Sequence, residues 1–194
     1  MDLQNIDLEN AFVRLELLDE GHREALRHLA NDETLLVQTT LNAAQNFDLW
    51  FDTMLASNAK VDQISYAVFD KPRGVYAGHT SFLSISSEHR RLEIGWTWYG
   101  ADFHRTYINP SCKNLLMAHA FKCGAERVEL KTGGENIRSQ KAMEKMGAKC
   151  DGVLRSHSKT WRGERRDSVF YSVLADEWEG VREGLERRLQ EFGQ

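Results

Sequence analysis

The alternation of apolar and polar positions divides most of this chain into strands and helices. Phe12-Val13-Arg14-Leu15-Glu16-Leu17 repeats with period two, the mark of a half-buried strand. Residues from Glu20 to Ala30 and from Gln45 to Ser57 read as helices, the second with Phe47, Trp50, Phe51 and Met54 on one stripe. Ile64 to Phe69 and Val75 to Ile85 read as strands joined across the turn-forming cluster Asp70-Lys71-Pro72-Arg73-Gly74. Arg91 to Tyr99 alternates along its length, so Leu92, Ile94, Trp96 and Trp98 are expected on one face and Glu93, Gly95, Thr97 and Tyr99 on the other.

A loop over 100–108 leads into a helix from Asn109 to about Cys123. Asn109 is the expected N-cap, and Pro110 takes the first helical position, where its missing N–H costs nothing. A strand over Arg127 to Thr132 follows, then a helix opening at Asn136 and stopping at Gly147. Val153 to Lys159 and Ser168 to Leu174 form a pair of strands across Trp161-Arg162-Gly163-Glu164. The tail from Asp176 to Gln190 is helical and heavily charged, and reads as a solvated outer helix. Early strands in succession predict an antiparallel meander, and the later strand–helix alternation predicts parallel pairing. The fold class expected is therefore α+β, a mixed, mainly antiparallel twisted sheet of about seven strands flanked by helices.

Composition narrows the setting. At 194 residues the chain suits one domain, and 41% hydrophobic with 28% charged residues is a globular balance. No apolar run approaches the roughly 18 residues of a membrane span, and the start MDLQNIDLEN is not a secretory signal. Cys112, Cys123 and Cys150 are odd in number and widely spaced, which fits reduced thiols in a cytoplasm rather than a disulfide frame. No CxxC and no paired histidines at ligand spacing occur, so no metal is expected. A net charge of −4 argues against a nucleic-acid partner and tolerates a cationic substrate.

The first chemical candidate is the helix after Asn136. Asn136, Ser139, Met143 and Met146 stand at i, i+3, i+7 and i+10 and share one face. Burying an amide or hydroxyl unpaired costs about 1–3 kcal/mol, so the two polar groups need partners. Either the protein supplies them, with Asn136 as a cap and Ser139 bonded to a nearby carbonyl, or a ligand does. The helix after the 100–108 loop adds an anion-binding N-terminus.

Together these features resemble the GNAT acetyltransferases, and more closely their RimJ/RimL-type branch, from about Phe12 to Trp178. The resemblance is carried by VRLE near the start, LEIGW in the fourth strand and Asn136-x-x-Ser139 ahead of Met146-Gly147. GVLRSH and RRDSVFYSVLADEW complete it. It implies a single domain that transfers an acetyl group from acetyl-CoA to a primary amine, without metal. The implied acceptor is a protein N-terminus, ribosomal proteins included; polyamine and antibiotic amines, and a non-catalytic acyl-CoA sensor, are the alternatives. Composition leaves no membrane or nucleic-acid partner expected, and RimL-like proteins are often homodimers.

By the same resemblance, His104, Arg105, Thr106, Tyr107, Ile108 and Asn109 hold the cofactor's pyrophosphate. The strand around Trp96, Thr97 and Trp98 and the Asn136 side chain meet its pantetheine arm. Two departures stand out: Tyr107 replaces a glycine, which puts Arg105 forward as the phosphate ligand, and Met143 replaces the tyrosine that often protonates the leaving thiolate. Ser139 becomes the candidate acid, with Glu93 as first choice of base and His157 and Asp167 behind it. Asp167 is expected to pair with Arg155 or Arg166. A P-loop or dinucleotide fingerprint is absent.

Overall fold

A computed structural model describes residues 1–31, 39–58 and 63–192. The strands are β1 (Leu8–Glu9), β2 (Val13–Leu17), β3 (Ile64–Asp70), β4 (Val75–Ser86), β5 (Arg91–Tyr99), β6 (Arg127–Gly133), β7 (Lys149–Lys159) and β8 (Arg165–Leu174). The helices are α1 (Arg23–Arg27), α2 (Phe47–Asn58), α3 (Ile108–Lys122), α4 (Ile137–Met146) and α5 (Trp178–Phe192). The strand beyond the expected seven is β1, two residues that pair with β2 through Leu8 and Leu15.

The strands form a single sheet in the order β1-β2-β3-β4-β5-β6-β8-β7. Every pairing is antiparallel except β5 with β6, which is parallel and covers only Arg91–Glu93 against Arg127–Glu129. β8 pairs with both β6 and β7 and so separates them. The sheet buries a different core on each face. One holds Val13, Leu15, Val68, Phe82, Leu92, Ile94, Val128 and Leu130 against α3 and α5. The other gathers Trp50, Phe51, Met54, Ala67 and Trp98 beneath α1 and α2.

Three expectations need correction. The tail helix is solvated on one side only: Val181, Leu185 and Leu189 recur every fourth residue, are buried, and fix α5 against the core. Helix α3 starts at Ile108 with Tyr107 as its cap residue, so Asn109 is not the N-cap and Pro110 stands third. The uniform alternation of β5 fails at Trp96. Thr80 of β4 faces both Trp96 and Thr97, because His79 is opposite Trp98 while Ser81 is opposite Gly95. This β-bulge, with Trp96 at φ +49, reverses the side-chain parity. Leu92, Ile94 and Tyr99 therefore share the α3 core, whereas Trp98 joins the α2 core.

By contrast, α4 forms between its predicted signals. The Asn136 side chain caps its start, accepting from the Ser139 N–H at 3.1 Å, and Gly147 ends it in the left-handed conformation at φ +102.

Candidate functional site

Parallel strands joined only at their N-terminal ends make a fork. Beyond Glu93 and Glu129, the edge of β5 over 94–99 and that of β6 over 130–133 have no strand partner on their facing sides among the described residues. Unpaired backbone N–H and C=O groups need another partner, from water or a ligand. The vertex is tied by charge: Arg91 and Arg127 bond Glu129 at 3.3 and 2.8 Å, and Lys131 bonds the buried Glu93 at 3.0 Å. Because α3 follows β5 and α4 follows β6, both helices begin at the open end. Their positive ends and free N–H groups make it an anion-attracting mouth.

On the α4 side, Asn136 uses its side-chain oxygen as the cap, which leaves its amide NH2 without a partner among the described residues. The half-buried Ser139 hydroxyl likewise has no hydrogen bond there. Gln140 holds the turn by donating to the carbonyls of Gly133 and Gly134 at 3.2 and 2.8 Å. Met143 packs on the core.

On the α3 side, Arg105 is exposed, stands at φ +61 and has no side-chain partner among the described residues. His104 Nε2 bonds the Tyr99 carbonyl at 3.1 Å. The Thr106 hydroxyl donates to the Phe103 carbonyl at 2.8 Å and accepts from the Ile108 N–H at 3.3 Å, the cap role expected of Asn109. Asn109 instead accepts from the Tyr99 hydroxyl at 3.4 Å. Tyr107 does not obstruct the mouth. Its ring lies 5.2 Å from that of Phe12 and its hydroxyl donates to the buried Asp70 at 2.9 Å, toward β2 and β3 and away from β6. Burial and that bond raise the tyrosine's pKa. The expected glycine is unnecessary here because the side chain leaves the site.

Of the three β5 residues predicted to meet a cofactor, Trp96 is half-buried at the bulge. Thr97 is held by the Thr80 hydroxyl at 2.8 Å, and the Trp98 ring is packed away against Trp50 at 5.3 Å. The bulge turns the Trp96 carbonyl toward His79, whose Nδ1 lies 2.9 Å away. Burial pushes the His79 pKa down to about 4, so the ring is neutral near pH 7. To bond a carbonyl, Nδ1 must then carry the proton. His79 thus pins the bulge, a role that nothing in its local sequence signals.

A second residue missed in the sequence is Lys113 on α3. It is buried, and burial pushes its pKa down to about 8 against the opposing pull of Cys112 and Glu93. The signal was present, since Lys113 follows Cys112 in the apolar row Ile108, Cys112, Leu116. The expected pairing of Asp167 with an arginine is corrected: its carboxylate accepts from the Ser156 N–H at 2.7 Å, a bond that supports a bulge in β7. His157 bonds the Ser168 hydroxyl at 3.1 Å. Glu93 and Trp96 thus lie on β5, one arm of the fork, Asn136 and Ser139 at the start of α4 beyond the other arm, and Arg105 in the loop before α3, while the rings of Trp98 and Tyr107 pack elsewhere. Among the described residues no group of three or more His, Cys, Asp or Glu is placed to hold a metal, and no helix is long and apolar enough to cross a membrane.

Comparison with known proteins agrees with this geometry. The family model described as acetyltransferase (GNAT) domain matches residues 13–149. An acetyltransferase from T. thermophilus, so named provisionally, is 32% identical with a TM-score of 0.87, covering 97% of this chain and 100% of that one. The provisionally named ribosomal N-acetyltransferase YdaF of Bacillus subtilis (strain 168) is 28% identical over 108 residues. That match spans 55% of this chain and 58% of the relative, little more than half its length. RimJ of Mycobacterium smegmatis, solved with CoA-disulfide, shares the fold with a TM-score of 0.81 at 15% identity over 97% of each chain.

Proposed function

This chain belongs to the GNAT acetyltransferase family, and on that premise we propose that it transfers an acetyl group from acetyl-CoA to a primary amine, with a protein N-terminus as acceptor. The observation that supports the reading is the fork: among the described residues two strand edges lack partners, each leads toward a helix N-terminus, and the Asn136 amide NH2 and Ser139 hydroxyl at the start of α4 make no hydrogen bond. Acetyl-CoA fits these groups. Arg105 and the start of α3 suit its phosphates, and the bare strand edges and the Asn136 amide suit the amide-bearing pantetheine arm.

The chemistry follows from positioning. The amine lone pair attacks the thioester carbon, a carbon–nitrogen bond forms and the carbon–sulfur bond breaks. N–H groups on the free edge of β5 stabilise the charge gathered on the carbonyl oxygen. The departing thiolate takes a proton from the Ser139 hydroxyl, since Met143 offers none, the amine gives up its proton through water to Glu93, and solvent returns a proton to Ser139 as Glu93 releases its own. The likeness to YdaF supports a ribosomal protein as the acceptor. A cytoplasmic setting accords with the free state of Cys112, Cys123 and Cys150, and the likeness to RimL-type proteins favours a homodimer.

Ser139→Ala tests the mechanism. With an accepted amine, turnover should fall roughly ten- to a thousand-fold while acetyl-CoA affinity stays near wild type, because the group acts in the transition state. Unchanged turnover would show that the thiolate leaves unassisted. Acetyl-CoA at millimolar concentration that gives neither heat nor a thermal shift would overturn the cofactor assignment.

A further inference from the structure

The face of the sheet that carries Glu93 also carries a cationic cluster. Residues 155–167 hold five lysines and arginines against two carboxylates, on a chain whose net charge is −4. Strand alternation puts Arg166, Ser168 and Phe170 of β8 on the side of Lys131, whose ammonium lies 5.6 Å from the Phe170 ring centre. Arg166 is half-buried, and its one hydrogen bond runs from Nε to the Ser158 hydroxyl at 2.9 Å. Both terminal amino groups of the guanidinium are unpartnered among the described residues. Burial lowers its pKa and Glu93 opposes that shift, so the two groups sense each other.

Glu93 makes no hydrogen bond to this arginine among the described residues; its Oε2 is held by Lys131 at 3.0 Å. The adjacent Asp167 is engaged with the Ser156 backbone. One carboxylate thus faces two cations, with the buried Lys113 a third within electrostatic reach. A half-buried guanidinium with two open amino groups is costly to leave unpaired and geometrically suited to a carboxylate. A polyamine or other cationic acceptor would be repelled by the same cluster.

We propose that the acceptor bears a carboxylate a few bonds from its amine, and that Arg166 binds that carboxylate. The inference rests on the acetyl-transfer reading above and narrows its substrate to acidic N-termini or small aminocarboxylates. Arg166 sets specificity, fixing the acceptor while its amine faces the thioester.

The test compares three peptides of equal length that differ only at the second residue (Glu, Gln or Lys), together with a free aminocarboxylate, monitored by CoA release. The wild-type kcat/KM for the Glu peptide should exceed that for the Gln peptide by about tenfold or more, with the Lys peptide lowest. Arg166→Gln should shrink the Glu-to-Gln ratio to within about threefold, Arg166→Lys should restore part of it, and Arg166→Glu should favour the Lys peptide. Relative turnover of the free aminocarboxylate and the Glu peptide distinguishes the two sources. Titration of the acetylated Glu peptide by calorimetry reads the carboxylate site without catalysis. Binding that Arg166→Gln abolishes, with no turnover of any amine, would uphold the carboxylate site and refute acetyl transfer. Turnover without acid preference, or with preference unchanged in Arg166→Gln, would uphold transfer and overturn this proposal.

Discussion

The two halves of the sheet are built differently. From β2 to β5 each strand is sewn to the next along most of its length, over two buried cores. The other half, β6-β8-β7, is equally well paired within itself, with seven register pairs between β6 and β8. Between the halves only three residue pairs remain. Regular pairing satisfies the backbone and leaves it nothing to offer a ligand, whereas an interrupted pairing exposes polar edges at fixed positions without unfolding anything. The candidate site is therefore a controlled omission of structure, and its integrity depends on what holds the two halves together.

The join can be broken by removing apolar contact at its vertex. Leu92, fully buried in the parallel pair, should cost about 2–5 kcal/mol when changed to Ala, read from urea unfolding. A loss below about 1 kcal/mol would mean that the surrounding ion pairs, rather than packing, hold the halves together.

Acid should probe the β5 side next, through His79. Its folded pKa of about 4 lies below the ordinary 6.5, so the unfolded chain takes up the proton first as pH falls. The stability this group supports is complete above pH 6.5, is drained between 6.5 and 4 by about 3 kcal/mol, and changes no further below that. Wild type and His79→Gln should differ in pH slope over that window; parallel slopes would show that the ring is protonated in the fold.

Lys113 should act in the same sense, in a higher pH window. Its folded pKa of about 8 lies below the ordinary 10.5, so stability is lost as pH falls through that interval and the full penalty persists at neutrality. Lys113→Met should therefore raise stability at pH 7 by about 1–3 kcal/mol, visible as a higher Tm. A lower Tm would mean that the ammonium is satisfied after all. The smallest effect is expected at the mouth: Arg105→Ala should weaken acetyl-CoA binding by about 1 kcal/mol and lessen its salt dependence. Unchanged affinity and salt dependence would place the phosphates elsewhere.

What the sequence disclosed follows the range of the interactions. The bounds of α4 were legible because an asparagine cap and a left-handed glycine act within one turn. The bulge at Trp96 was not, because an uninterrupted alternation of residue types gives no sign that two positions share one partner. Tyr107 looked like an obstacle because its true partner, Asp70, is 37 residues away. The buried face of α5 was available in Val181, Leu185 and Leu189, but the density of charge around them concealed it. Spacing put Asn136 and Ser139 on one helical face but left open what would satisfy them, and the cap to the Ser139 N–H answers that for the Asn136 oxygen; the cations on β8 came to notice only when alternation placed them beside Lys131.

The position of β8 sets a schedule for the nascent chain. β6 and β7 never pair with each other, so until residues 165–174 have been synthesised the second half of the sheet has no ladder at all. The first half can assemble earlier from hairpins close in sequence, while β6 must wait for a strand more than thirty residues later. Assembly of this protein is thus ordered in time, with the fork completed in one late step when a single strand slides between two waiting neighbours. A ribosome stalled before residue 165 would hold a folded meander with β6 joined only at its start and its far edge bare, the kind of strand edge that chaperones exist to cover.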